Sequence, residues 1–289
     1  SGGGVLYFDA ARTWQGRRTA PVKKGIFIIL ILFFIGVASF AGYKILGTLL
    51  DYGEGENAYD SLRESVSTSP DSALKTPAPS HEEGDLPPAS ETEPEETPDP
   101  HEGIDFPTVD FEALLDMNSD VVGWIYLEGS PVDYPIVQGE DNDEYIRMLP
   151  DGRYNNAGSI FMDYRNSPDF SDRHTIIYGH RMNNNSMFGT IVNYKDQEWY
   201  DAHPRCFIMT EDENYVVEFF SGCVMSVTGE AWDLEFESDE DFNKWVARAK
   251  TRSAFESDVV PEAGERIITL STCNRTNGYT RFVLLGVVR

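Results

Sequence analysis

A cysteine, a histidine and an arginine each stand where strand-like sequence gives way to loop. Cys273 closes the run RIITLSTC at 266–273, and the next seven residues, NRTNGYT, are polar. A thiol at a strand's end is held by a rigid element yet stays reachable, which suits a nucleophile. Arg281 opens the next apolar run, RFVLLGVV at 281–288. If the two runs form a hairpin, a strand spacing of roughly 5 Å brings the guanidinium near the thiol. A fixed cation there stabilises the anion of a tetrahedral acyl intermediate. His180 ends the run HTIIYG at 174–179. Thiol-based acyl transfer needs a group that protonates a leaving amine and later deprotonates the incoming nucleophile, and histidine titrates in the range for both. Of the other histidines, His81 and His101 fall in an acidic, Pro-rich stretch, His203 precedes Pro204, and His174 starts the strand that leads to His180. Each candidate also has a plainer reading: an edge-strand arginine, a structural histidine, a buried thiol. Asp163 and Asp233 are candidates for orienting His180, with solvated or turn carboxylates as the plainer reading.

The elements that must position these residues are short strands. VGWIYL (122–127), GSIFMDY (158–164), HTIIYG (174–179), CFIMT (206–210), NYVVEFF (214–220) and the two runs around Cys273 are separated by turn residues. That pattern predicts a mostly-β closed barrel or sandwich. Asp110 is a fitting N-cap for a short helix over 110–117. A second helix is predicted over 238–252, with Ser238 as cap, acids in its first turn and Phe242, Trp245, Val246 and Ala249 on one face. Cys206 and Cys223 flank a hairpin without facing each other, and read as small buried core residues.

The N-terminal part differs in kind. Residues 25–43 carry no charge over nineteen positions, enough helix to cross a bilayer core of about 30 Å. Before residue 51 there is one acid, Asp9, against six bases, of which only Lys44 follows the apolar run. The asymmetry predicts a cytoplasmic tail over 1–24, a signal-anchor span over 25–45 and an extracellular remainder. Residues 51–105 hold sixteen acids, two bases and eight prolines, so a disordered acidic stalk is expected over 46–105. The folded domain is then 106–289. A formal net charge of −26 argues against nucleic acid as a partner.

The strings Thr269-Leu270-Ser271-Thr272-Cys273 and Tyr178-Gly179-His180, with the later Arg281, resemble the signature of sortases. The phrases FMDYRN at 161–166, NNNSMFGTI at 183–191 and WI…YPIVQ…DN…Y at 124–145 look like the class B subgroup, as does a helix inserted before the cysteine strand. The similarity spans nearly all of 106–289. It implies a closed eight-stranded β-barrel with an N-terminal helix and one inserted helix. It also implies a membrane-anchored transpeptidase that cleaves a C-terminal sorting motif of secreted proteins and passes the acyl group to an amine of peptidoglycan or a pilin. Cys273 would form the thioester, His180 would carry the proton and Arg281 would hold the oxyanion. Ser271, Thr272 and Ser186 are the expected substrate-binding residues, against plain strand and loop hydroxyls. Two departures stand out: Asn274 follows the cysteine where some class B relatives have an acid, and the Cys–Arg loop is short. No cofactor or metal is expected. An L,D-transpeptidase would need a His-Gly-Cys neighbourhood, which is absent. A stalked adhesin or sensor accounts for 1–105 but leaves the Cys–His–Arg set unexplained.

Overall fold

The computed structural model describes residues 22–64, 66–67, 103–273 and 278–289. The chain divides into two compact units, 1–50 and 51–289. Helix α1, Val22–Arg63, covers the end of the first and the start of the second. In the first unit its apolar side chains are exposed, and it is long and apolar enough to cross a membrane.

The second unit is built on a closed barrel. After β1 (Val66–Ser67), β2 (Thr108–Val109) and helix α2 (Phe111–Met117) come β3 (Val121–Tyr126), β4 (Asp133–Val137), β5 (Ile160–Met162) and β6 (His174–Gly179). Helix α3 (Gln197–Ala202), β7 (Arg205–Met209), β8 (Asn214–Ser226), helix α4 (Asp239–Thr251), β9 (Ile267–Cys273) and β10 (Thr280–Val288) follow. Eight strands close in the order β10-β8-β7-β3-β4-β5-β6-β9, so the expected eight-stranded barrel is the observed one. β6 pairs with β9 in parallel, and β9 with β10 antiparallel. Side chains alternate across these strands. Ile268, Leu270, Phe282 and Leu284 face the barrel core, while Ile267, Val283, Leu285 and Val287 pack outside it against α4.

Both predicted helices form where their caps place them. The Asp110 carboxylate accepts from Ala113 N at 3.0 Å, and Ser238 Oγ accepts from Asp241 N at 3.2 Å. Phe242, Trp245, Val246 and Ala249 are the buried face of α4. Strand β4 escaped the sequence reading because Pro135 breaks its pattern. β5 pairs with it only at Ile136 and Val137, which leaves an unpaired edge at Pro135, the kind of place a missing N–H is tolerated.

The stalk expected over 46–105 is corrected at its start, because residues 46–63 are helical. Tyr52, Ala58, Tyr59 and Leu62 pack on the barrel core. Tyr59 donates from its hydroxyl to Gly158 O at 2.5 Å and meets Tyr134 edge-on at 4.9 Å. Arg63 donates to Asp133 O at 3.1 Å. Averaged over the window, the composition hid an apolar face at positions 52, 55, 59 and 62. Beyond the helix, Val66 and Ser67 pair with Val109 and Thr108, so the chain leaves this corner and returns to it. The expected stalk over 68–102 lies outside the described residues.

Candidate active site

Strand register assembles the site. Cys273 is the last residue of β9, and its Cα partner on β10 is Arg281. On the other side, β6 pairs Gly179 with Thr272, so the next position, His180, comes level with Cys273. The nucleophile candidate thus lies between β10, which carries Arg281, and β6, which leads into His180. The hairpin with β10 is legible in the sequence; the parallel β6–β9 pairing, which brings in His180, has no local signature.

A cleft of about 260 Å³ opens here, and its walls include Asn142, Ile146, Tyr178, His180, Trp232, Ser271 and Arg281. Tyr178, His180, Ser271 and Arg281 reach it because alternate residues of neighbouring strands share a face. Gly179, between Tyr178 and His180, allows close packing. A Cβ there would sit 2.5 Å from Ile160 Cδ1 and 2.6 Å from Phe188 Cδ2.

His180 is half-buried, with Nε2 2.7 Å from Ile146 O. A carbonyl only accepts, so Nε2 carries hydrogen and Nδ1 is the basic nitrogen of the neutral ring. Burial lowers the His180 pKa from its ordinary value, and the positive charges of Arg147 and Arg281 add to this against the opposing Ile146 bond. Arg281 is half-buried and bonds Gly278 O and Thr280 O, each at 3.2 Å. Ser271 is 2 % exposed, lines the cleft, and its Oγ has no hydrogen-bond partner among the described residues.

The remaining candidates lie elsewhere. Thr272 alternates with Ser271 and so stands on the opposite face of β9, its Oγ1 buried and without a partner among the described residues. Ser186 sits on the turn after β6, donates to Asn184 Oδ1 at 2.7 Å, and lines a separate small cavity with Tyr59, Tyr134 and Met187. Asp233 uses its carbonyl on His174 rather than its carboxylate on His180. Cys206 and Cys223 are free and buried, as expected, and burial pushes both thiols up, Cys223 to about 11.

Asp163 orients Tyr178 and Asn142, not His180. It is fully buried and takes Arg165 Nε and Nη2 at 2.8 Å each, Tyr178 Oη at 2.9 Å and Asn142 Nδ2 at 3.1 Å. Burial alone would raise its pKa, but the bonds from Arg165, Tyr178 and Asn142 win and hold it below the usual carboxylate range. Asn142 Oδ1 accepts from Tyr164 N at 3.1 Å, so the amide is fixed at both ends. Sequence reasoning missed Asn142 and Trp232 as cleft residues. Asn142 stood inside a quoted motif, while Trp232 had no motif to mark it.

Known proteins are similar to this chain in sequence and fold. The sortase domain model matches residues 125–288. Sortase B of Listeria monocytogenes is 39 % identical over 177 residues, 60 % of this chain and 71 % of the relative. The Staphylococcus aureus sortase B–substrate complex superposes with a TM-score of 0.60 at 32 % identity, covering 62 % of this chain and 84 % of that one. A sortase B structure complexed with Gly3 gives 0.59 at 32 % identity, covering 62 % and 85 %.

Proposed function

The chain belongs to the sortase family of cysteine transpeptidases, and from that premise we propose that its cleft takes the sorting motif of a secreted protein and acylates Cys273. The carrying observation is the register that sets Cys273 level with both Arg281 and His180.

Cys273 passes its thiol proton to Nδ1 of His180 and, as the thiolate, attacks the motif's scissile carbonyl. The Arg281 guanidinium faces the oxyanion, as the one cation on the strand paired with Cys273, and supplies charge where it develops. His180, with Nε2 held by Ile146, exchanges protons at Nδ1. It gives one to the leaving amine, then takes one from the incoming nucleophile. Splitting the transfer through a thioester turns one hard step into two easier ones. Ser271 Oγ, in the cleft wall and without a partner among the described residues, bonds the motif's backbone, while Thr272 and Ser186 stand outside the cleft and take no direct part. The acceptor is an amine of peptidoglycan or of a pilin; a Gly3 complex of a relative supports a small unbranched amine. The apolar part of α1 anchors the chain with its basic N-terminal side in the cytoplasm and the barrel outside.

Incubating the full chain in detergent with a sorting-peptide library and triglycine tests this reading. Ligated products are expected from wild type and none from Cys273→Ala. Wild-type product yields from the alanine variant would overturn it.

A further inference from the structure

His174 is buried and takes no part in the chemistry above. It opens β6 and is 1 % exposed. Its Nδ1 lies 2.7 Å from the carbonyl oxygen of Asp233, so Nδ1 carries the proton. Nε2 is then the lone-pair nitrogen and accepts from the Thr269 hydroxyl at 2.8 Å. The ring packs on Trp245 with centroids 4.6 Å apart. Strand β9, helix α4 and the turn before α4 therefore meet on one imidazole.

That turn carries Trp232, a wall of the cleft. Trp245 Nε1 donates to Glu230 O at 2.8 Å, and the Glu230 carboxylate pairs with Arg248 and Arg252. His174 holds the other end, at Asp233. Trp232 thus sits in a turn pinned on both sides. Next to His174, Arg173 bonds Asp239 of α4 at 2.9 Å and lies over the Phe242 ring at 4.2 Å.

We propose that His174 is a positioning residue for substrate specificity: it ties the Trp232 turn to β9, so that the peptide-facing wall and the strand ending in Cys273 hold one geometry. The proposal rests on the reading of the cleft as the sorting-peptide site. A neutral imidazole suits the task because it offers a donor and an acceptor from one flat ring. Burial dominates its ionisation and pushes it down to about 4; the Asp233 carbonyl, Asp163 and Asp172 favour the proton and Arg165 opposes it. The ring therefore stays neutral and the tie stays closed at neutral pH.

His174→Phe keeps a ring and removes both bonds, whereas His174→Gln restores a donor and an acceptor. The Phe variant is expected to raise KM for the sorting peptide about tenfold with kcat within about twofold, a loss of shared ground-state and transition-state binding. The Gln variant recovers part of it. Alkylation of Cys273 by iodoacetamide keeps its wild-type rate. In a Trp232→Ala background the Phe substitution adds less than about twofold, because the effect runs through the indole. An equal rise in both backgrounds, or a kcat loss at constant KM, would overturn the proposal. Should the Phe variant not fold, nitrogen-15 spectra of wild-type His174 decide: an Nδ1–H tautomer from pH 5 to 8 supports the tie, and a ring that titrates near the free value of about 6.5 sinks it. Turnover by Cys273→Ala would refute the cleft reading separately, without moving the tautomer.

Discussion

Replacing Asp163 with alanine removes one buried carboxylate and strips the acceptor from three neighbours. The half-buried Tyr178 hydroxyl and one Asn142 N–H lose partners at 2.9 and 3.1 Å. Orphaning such groups costs about 1–3 kcal/mol each, and partial exposure favours the low end. The Arg165 side chain is 44 % exposed, so it rehydrates and its ion pair counts for no more than about 1 kcal/mol. The expected loss is roughly 3 kcal/mol, read by denaturant unfolding of the chain in detergent. kcat/KM should fall as well, since Tyr178 and Asn142 both line the cleft. Asp163→Asn keeps the shape and one acceptor oxygen and should lose less. The pH sign follows from the depressed pKa: the carboxylate's stabilisation is present above the unfolded value near 3.9 and is lost as pH falls through the folded one. Asp163→Ala should lack that acid-side loss. A stability change under about 0.5 kcal/mol, the range of ordinary surface substitutions, would refute Asp163's part as the shared acceptor of Arg165, Tyr178 and Asn142.

Arg281→Gln should raise the His180 pKa, because it removes a cation that disfavours the imidazolium; an NMR titration that moves downward contradicts this. Arg281→Lys should lose most turnover, since an ammonium lacks the planar fork, and near wild-type kcat would reduce Arg281 to a packing role. Proteolytic cleavage within 68–102 should leave two fragments that co-elute in detergent, because the helix end at 51–63 and the β1–β2 pair are seated on the barrel unit. Tyr59→Ala should weaken that association, by about 3 kcal/mol or more for a buried aromatic; fragments that separate freely from the wild-type chain would refute the docking.

Seven of the eight barrel strands, both helix caps and the strand-end places of the candidates Cys273, His180 and Arg281 were legible because each has a local signal: alternation, a capping side chain, a polar residue at a strand's end. What escaped is non-local. Asp163 looked like a turn carboxylate because its partners Asn142 and Tyr178 lie 21 and 15 residues away. The helix end at 51–63 looked like part of a spacer because its buried face is four residues among acids. Ser186 read as a groove residue from its motif, yet the turn after β6 puts it in another cavity. His174 read as a strand opener, and only the fold reveals Asp233 and Thr269 on either side of its ring.

The proposed transfer requires an acyl group on Cys273. Mixing the chain with a sorting peptide in the absence of any amine, quenching in acid and digesting with trypsin isolates the peptide of residues 267–275. Intact mass analysis should find that peptide heavier by the motif's acyl fragment, the adduct should vanish with hydroxylamine, and Cys273→Ala should show none. Peptide cleavage at full rate with no adduct on 267–275, or with the adduct on another residue, would contradict the mechanism.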